Sequence, residues 1–145
     1  MLAATVLVAQ TPSGQSMNVY LRDGLQWVEG PAVLQPGAKM AVVKGDPTKP
    51  GLFTMRLWFP ANYRVDPHWH VADEHVTVIS GALHIGMGER FDREKGRALP
   101  TGGFLWMPAG TRHFGWTEQE TEIQLHGIGP WVVNYVNPAD DPRKQ

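Results

Sequence analysis

The stretch from Pro67 to Gly81, PHWHVADEHVTVISG, constrains this chain more than any other, because it places His68, His70 and Glu74 within seven residues. In an extended strand, side chains two apart point to one face with Cα atoms about 6.5 Å apart, so two imidazoles at this spacing can converge on one ion. Glu74 to Ile79, EHVTVI, has the β-branched content and alternation of a second strand, which turns at Ser80-Gly81. Both strands are expected to carry ligands into a shared interior. His75 is adjacent to Glu74, so alternation turns it outward, and the same argument removes Trp69.

The chain opens with Leu2 to Ala9, LAATVLVA, an apolar run ahead of the turn-rich Thr11 to Ser16. It reads either as the remnant of a secretion signal or as a strand added to this sheet or a partner's. The strand is favoured, because no positive segment precedes the run. Residues 1–16 are thus an N-terminal extension or strand, and a cytoplasmic location is slightly favoured over a secreted or periplasmic one. Trp27-Val28 and Ala38 to Val43 read as short strands, with GDPTKPG at Gly45 to Gly51 as a loop. Phe53 to Phe59 alternates, which puts Phe53, Met55, Leu57 and Phe59 in the core and makes Arg56 an outer-face charge.

Ala82 to Met87 returns as the second arm of a hairpin, with Leu83, Ile85 and Met87 on one face and His84 turned away from the site. Glu89 to Arg97 carries seven charges in nine residues and reads as a solvated connection. Phe104 to Met107, a segment opening at His113, and Ile123 to Ile128 read as further strands, and residues 137–145 as a surface tail. Short strands, no helical period and turns every 8–12 residues point to an all-β sandwich or barrel, one domain over residues 1–145. A chain of this length buries roughly 70% of its unfolded surface and needs no metal merely to fold. The absence of cysteine excludes thiolate sites and thiol nucleophiles. A net charge of −1 with scattered basic residues gives no footprint for nucleic acid, and no apolar run approaches a membrane span.

Asn62, five residues, His68-x-His70, three residues, Glu74, six residues, Gly81 is similar to the first cupin motif, which carries glycine where Asn62 stands. Gly102, five residues, Pro108-x-Gly110, two residues, His113, three residues, Thr117 resembles the second, which carries asparagine where Thr117 stands. Asparagine tolerates the left-handed conformation better than other non-glycine residues, and Thr117 bears only on a local turn contact. The resemblance covers residues 62–117. It implies a cupin-type β-barrel of six to ten strands, a double-stranded β-helix or jelly-roll-like sandwich. It also implies His68, His70, Glu74 and His113 as ligands to one divalent transition metal, Fe, Mn, Ni, Cu, Co or Zn.

Three imidazoles and a carboxylate leave one position open on a five-coordinate ion and two on an octahedral one, the arrangement of a catalytic site. The expectation is a small metal-dependent enzyme acting on a small oxygenated organic molecule. Oxidative cleavage by dioxygen is favoured, with metal-assisted carbon–carbon lysis or isomerisation next; a non-catalytic binding or sensing module is the alternative. Met55, Leu57, Phe59, Val76 and Val78 are the expected apolar pocket walls. Gln124 and His126 share a face that is either solvent or pocket; in the pocket, Gln124 lines it and His126 is the catalytic proton carrier. Tyr63 and Arg64 edge the pocket mouth or belong to a solvated turn. Trp106, Trp116, Trp131, Phe104 and Phe114 read as core or interface aromatics. A homodimer is expected, because Trp58, Trp116 and the N-terminal run would otherwise be left to solvent.

Overall fold

Alternation of apolar and polar side chains lays out two sheets. The structure is a computed structural model that describes residues 16–145, so the apolar run Leu2 to Ala9 lies outside the described residues. The strands are β1 (Val28–Glu29), β2 (Lys39–Lys44), β3 (Gly51–Phe59), β4 (Arg64–Trp69), β5 (Glu74–Ser80), β6 (Ala82–Met87), β7 (Gly96–Pro100), β8 (Phe104–Met107), β9 (His113–Trp116), β10 (Thr121–Gly129) and β11 (Asn134–Tyr135). Helical structure among the described residues is limited to short 3-10 turns. None of it is long and apolar enough to cross a membrane.

One sheet runs β1-β2-β3-β10-β5-β8 and the other β11-β4-β9-β6-β7, every pairing antiparallel. They pack face to face as a jelly-roll sandwich and are not hydrogen-bonded into a closed barrel. β3 shows why. Phe53, Met55, Leu57 and Phe59 are buried against Val76, Val78, Ile123 and Leu125 of the same sheet and Leu83 of the facing one. Thr54, Arg56 and Trp58 alternate to the outside. On that outer face Glu122 is fully buried, each of its oxygens 2.8 Å from an arginine, Arg56 on one and Arg22 on the other. Removing either arginine would leave a buried carboxylate half paired.

The cupin-like turns form as the residue types require. Asn62 takes φ 60°, left-handed, where the motif carries glycine. Thr117 pins this turn: its hydroxyl donates to the Pro60 carbonyl at 2.6 Å and accepts from Tyr63 N–H at 3.1 Å. At Gly81, φ is 78° and a Cβ would stand 2.3 Å from the Glu120 carbonyl oxygen, so only glycine fits.

Two expectations need correction. Residues 89–97 are not simply a solvated connection, because Phe91 packs on Phe114 and Trp116 and Gly96 to Pro100 form the edge strand β7. Trp116 is therefore covered by the chain itself, at 4% exposure, rather than left to solvent. The tail lies mostly exposed on the surface and is ordered there: two 3-10 turns fold it back, Asp141 is buried, and Arg143 spans Asp141 and the Val133 carbonyl.

Candidate metal centre

The two sheets converge on one cluster. His68 lies in β4 and His70 directly follows it, while His113 opens β9 opposite His68 in register. Glu74 opens β5 on the facing sheet. Gly110 N–H donates to the His70 carbonyl at 2.8 Å, tying the second motif to the first. All four side chains are buried, at 6%, 5%, 3% and 6% exposure for His68, His70, His113 and Glu74.

Each imidazole is oriented by a backbone carbonyl. Nδ1 of His68 lies 2.7 Å from the Asp66 oxygen, Nδ1 of His70 lies 2.8 Å from Val132, and Nδ1 of His113 lies 2.9 Å from Thr111. A carbonyl only accepts, so all three Nδ1 atoms carry the proton and the Nε2 lone pairs are free. One ring nitrogen from each histidine lies within 4.8 Å of the other two. Ligand nitrogens about 2.0–2.1 Å from one ion sit roughly 3–4 Å apart, so the set is close to the spacing an ion needs. Burial, reinforced by the neighbouring rings of His113 and His70, holds His68 well below the usual imidazole range. Burial also lowers His113 to about 4, against opposing pulls from the Thr111 carbonyl and Glu74. These rings stay neutral at physiological pH, the form that binds a metal.

Glu74 stands beside the triad. Its Oε1 is 3.4 Å from His70 Nε2 and accepts the Trp131 indole N–H at 2.9 Å, while the Trp131 ring stacks on His70. The four residues expected together are thus met as three clustered histidines with a tethered carboxylate at their edge. A lone pair facing a carboxylate at this distance is repulsive unless a cation or proton lies between them. The chemistry of the donors therefore fits a divalent transition metal ion held by His68, His70 and His113, with Glu74 in reach.

The cluster ends a cavity of about 60 Å³, otherwise apolar, lined by Leu57, Phe59, Val76, Ile85, Leu125 and Trp131 among others. Of the five proposed wall residues, Leu57, Phe59 and Val76 line this cavity, whereas Met55 and Val78 lie buried in the surrounding core without lining it. Gln124 and His126 are corrected. Ile123 and Leu125 face the cavity, so their neighbours point to the outer face, where Gln124 accepts from Arg56 and His126 sits 3.1 Å from His75. His126 is therefore no proton carrier for this cavity. Tyr63 and Arg64 do not edge its mouth: the Tyr63 hydroxyl donates to the Gln35 carbonyl, and Arg64 lies over Phe91 on the outer face. His84 stacks on Trp116, away from the site as expected. The residue that sequence reasoning missed is Trp131, which no motif marks.

A two-sheet jelly roll with a histidine cluster at one end of its interior is the cupin arrangement, and solved structures agree. The polyketide cyclase RemF from Streptomyces resistomycificus superposes with a TM-score of 0.69 at 17% identity, over 89% of this chain and 92% of its own. An RmlC-like cupin from Shewanella frigidimarina gives 0.60 at 14% identity, over 79% of this chain and 92% of its own. A variant of the salicylate 1,2-dioxygenase from Pseudoaminobacter salicylatoxidans, solved with gentisate, gives 0.56 at 18% identity, over 69% of this chain and 27% of its own. A comparison with curated protein sequences gives no match. Residues 19–141 match the family model described as Domain of unknown function (DUF4437), and the chain belongs to that family.

Proposed function

We propose that the chain holds one divalent transition metal ion on His68, His70 and His113, with Glu74 as a fourth ligand or an adjacent base, and acts as a small metal-dependent enzyme. Its substrate is a small oxygenated organic molecule. Oxidative cleavage by dioxygen is the favoured reaction, with carbon–carbon lysis or isomerisation next. The observation that carries this reading is the convergence of three imidazoles, each with its Nδ1 proton committed to a carbonyl, at the end of an apolar cavity. Similarity of fold to a salicylate dioxygenase and a polyketide cyclase supports an enzyme of small oxygenated molecules.

When bound, the ion would supply Lewis acidity and, for iron, manganese or copper, access to dioxygen. The protein's own groups do the rest. The apolar walls exclude water and strengthen attraction between a bound anionic oxygen and the positive end of the cavity. Glu74 is the one carboxylate lining the cavity among the described residues, and the Trp131 N–H fixes its Oε1. It is the group placed to take a proton from substrate. A binding module is the second reading, favoured by the lack of any acid or base in the cavity, among the described residues, beyond Glu74 and the triad.

Oxygen uptake by iron-loaded protein across β-diketones, 2-oxo acids and catechols separates these readings. Turnover that consumes oxygen with one of them supports oxidative cleavage. Equal turnover without oxygen overturns it in favour of lysis or isomerisation, and ligand-induced spectral change without turnover supports the binding module.

A further inference from the structure

β7 and β8 are the adjoining edges of the two sheets, and they close only at one end. There the turn between them is held to β5, with Gly102 N–H donating to the Val78 carbonyl and Val78 N–H to the Gly103 carbonyl, both at 2.9 Å. At the other end the sheets leave a groove of about 700 Å³, whose walls include Ile85, Met87, Arg97, Leu105, Met107 and His113. Ile85 and His113 also line the interior cavity, so the groove abuts the histidine cluster.

The direction of Arg97 follows from register. Arg97 stands opposite Ile85, and Leu99 opposite Leu83. Directly paired residues share a face, and Ile85 and Leu83 face the interior. Arg97 is therefore an inner-face arginine on the open flank of the sandwich. It has no acidic partner within 4 Å among the described residues. Lys95 is the second cation of the groove, and its one acid, Asp92, lies 3.6 Å away with both side chains partly in water. Among the described residues no acidic side chain lines the groove. An inward charge on an edge strand also guards against sheet pairing. That explains Arg97 alone, not Lys95 beyond the strand, nor Met87, an inner-face residue that is 70% exposed.

We propose that this groove binds an aromatic carboxylate, its ring against Met87, Leu105 and Met107, its acid on Arg97 with Lys95 nearby, and its far edge toward His113. The assignment of a substrate class rests on the metal-centre reading above, but the anion site does not. An arginine fork recognises a carboxylate through charge-assisted hydrogen bonds, and flanking apolar walls strengthen them.

The test is calorimetric titration with 2-naphthoate and with its neutral isostere 2-naphthamide. Wild-type protein should bind the acid about tenfold more tightly than the amide. Arg97→Gln should abolish that preference while leaving amide affinity unchanged, and Arg97→Glu should reverse it. Arg93→Gln, an outer-face control over Trp116, should keep it. His68→Ala should also keep it, so failure of the metal reading would leave this result standing. The proposal is overturned if wild type shows no preference, if both Arg97 variants retain it, or if His68→Ala removes it while Arg97→Gln does not, since the acid would then sit on the metal. Circular dichroism of Arg97→Gln confirms that the exposed substitution leaves the fold intact.

Discussion

Trp131 donates its indole N–H to Glu74 Oε1 at 2.9 Å while its ring lies 5.8 Å from that of His70, so one side chain fixes a carboxylate and backs an imidazole. Partners of this kind orient a metal's ligands. Trp131→Phe keeps the ring and removes the donor, freeing Glu74 to turn. Metal affinity should fall about 10- to 100-fold, read by competition with a chromophoric chelator. An unchanged affinity would mean that Glu74 needs no tether.

Burial sets a pH signature for the metal-free protein. His113 is held at about 4 in the fold and titrates near 6.5 unfolded, and His68 is shifted in the same direction. Between these values the unfolded chain binds more protons than the folded one, so stability is full above about 6.5 and declines as pH falls toward 4. His113 alone contributes a loss on the order of 3 kcal/mol over that window. Urea unfolding at pH 7.5 and pH 5 should show it, and zinc should restore stability at pH 5. A flat profile would contradict the neutral, buried assignment.

Thr117→Val keeps shape and removes a hydroxyl that both donates to Pro60 and accepts from Tyr63 in a site 1% exposed. The orphaned carbonyl and amide should cost about 1–3 kcal/mol in chemical denaturation. The Asn62 turn sits directly beneath. Thr117→Asn, which restores the motif residue, should recover part of the loss.

His126→Ala should leave metal content and affinity within about twofold of wild type, because the ring points to the outer face. Its own pKa is lowered, by burial and then by His75, which places it in a pair with that ring rather than in the cavity. A large loss of metal would return His126 to the site.

Much of the architecture was legible because alternation on β3, β5 and β6 is regular and the two motifs fix both turns and donors. Alternation misled only where it was ambiguous. On β10 the apolar Ile128 shares parity with Gln124 and His126, which left that face open, yet Ile128 is 57% exposed and the inner parity belongs to Ile123 and Leu125. β7 was hidden because Gly96, Arg97 and Pro100 carry loop chemistry, which an edge strand tolerates. Trp116 reads as an outer-face aromatic, and only the fold reveals Phe91 and Arg93 over it. Trp131 follows no periodic segment, so its contact with Glu74 depends on tertiary structure alone.

Metal analysis of freshly purified protein, with His68→Ala and His113→Ala beside it, tests the central claim most directly. The account expects close to one divalent transition ion per chain in wild type and a large loss in both variants, each removing one of three converging nitrogens. Equal metal content in all three proteins, or none in wild type after loading with iron or zinc, would contradict it.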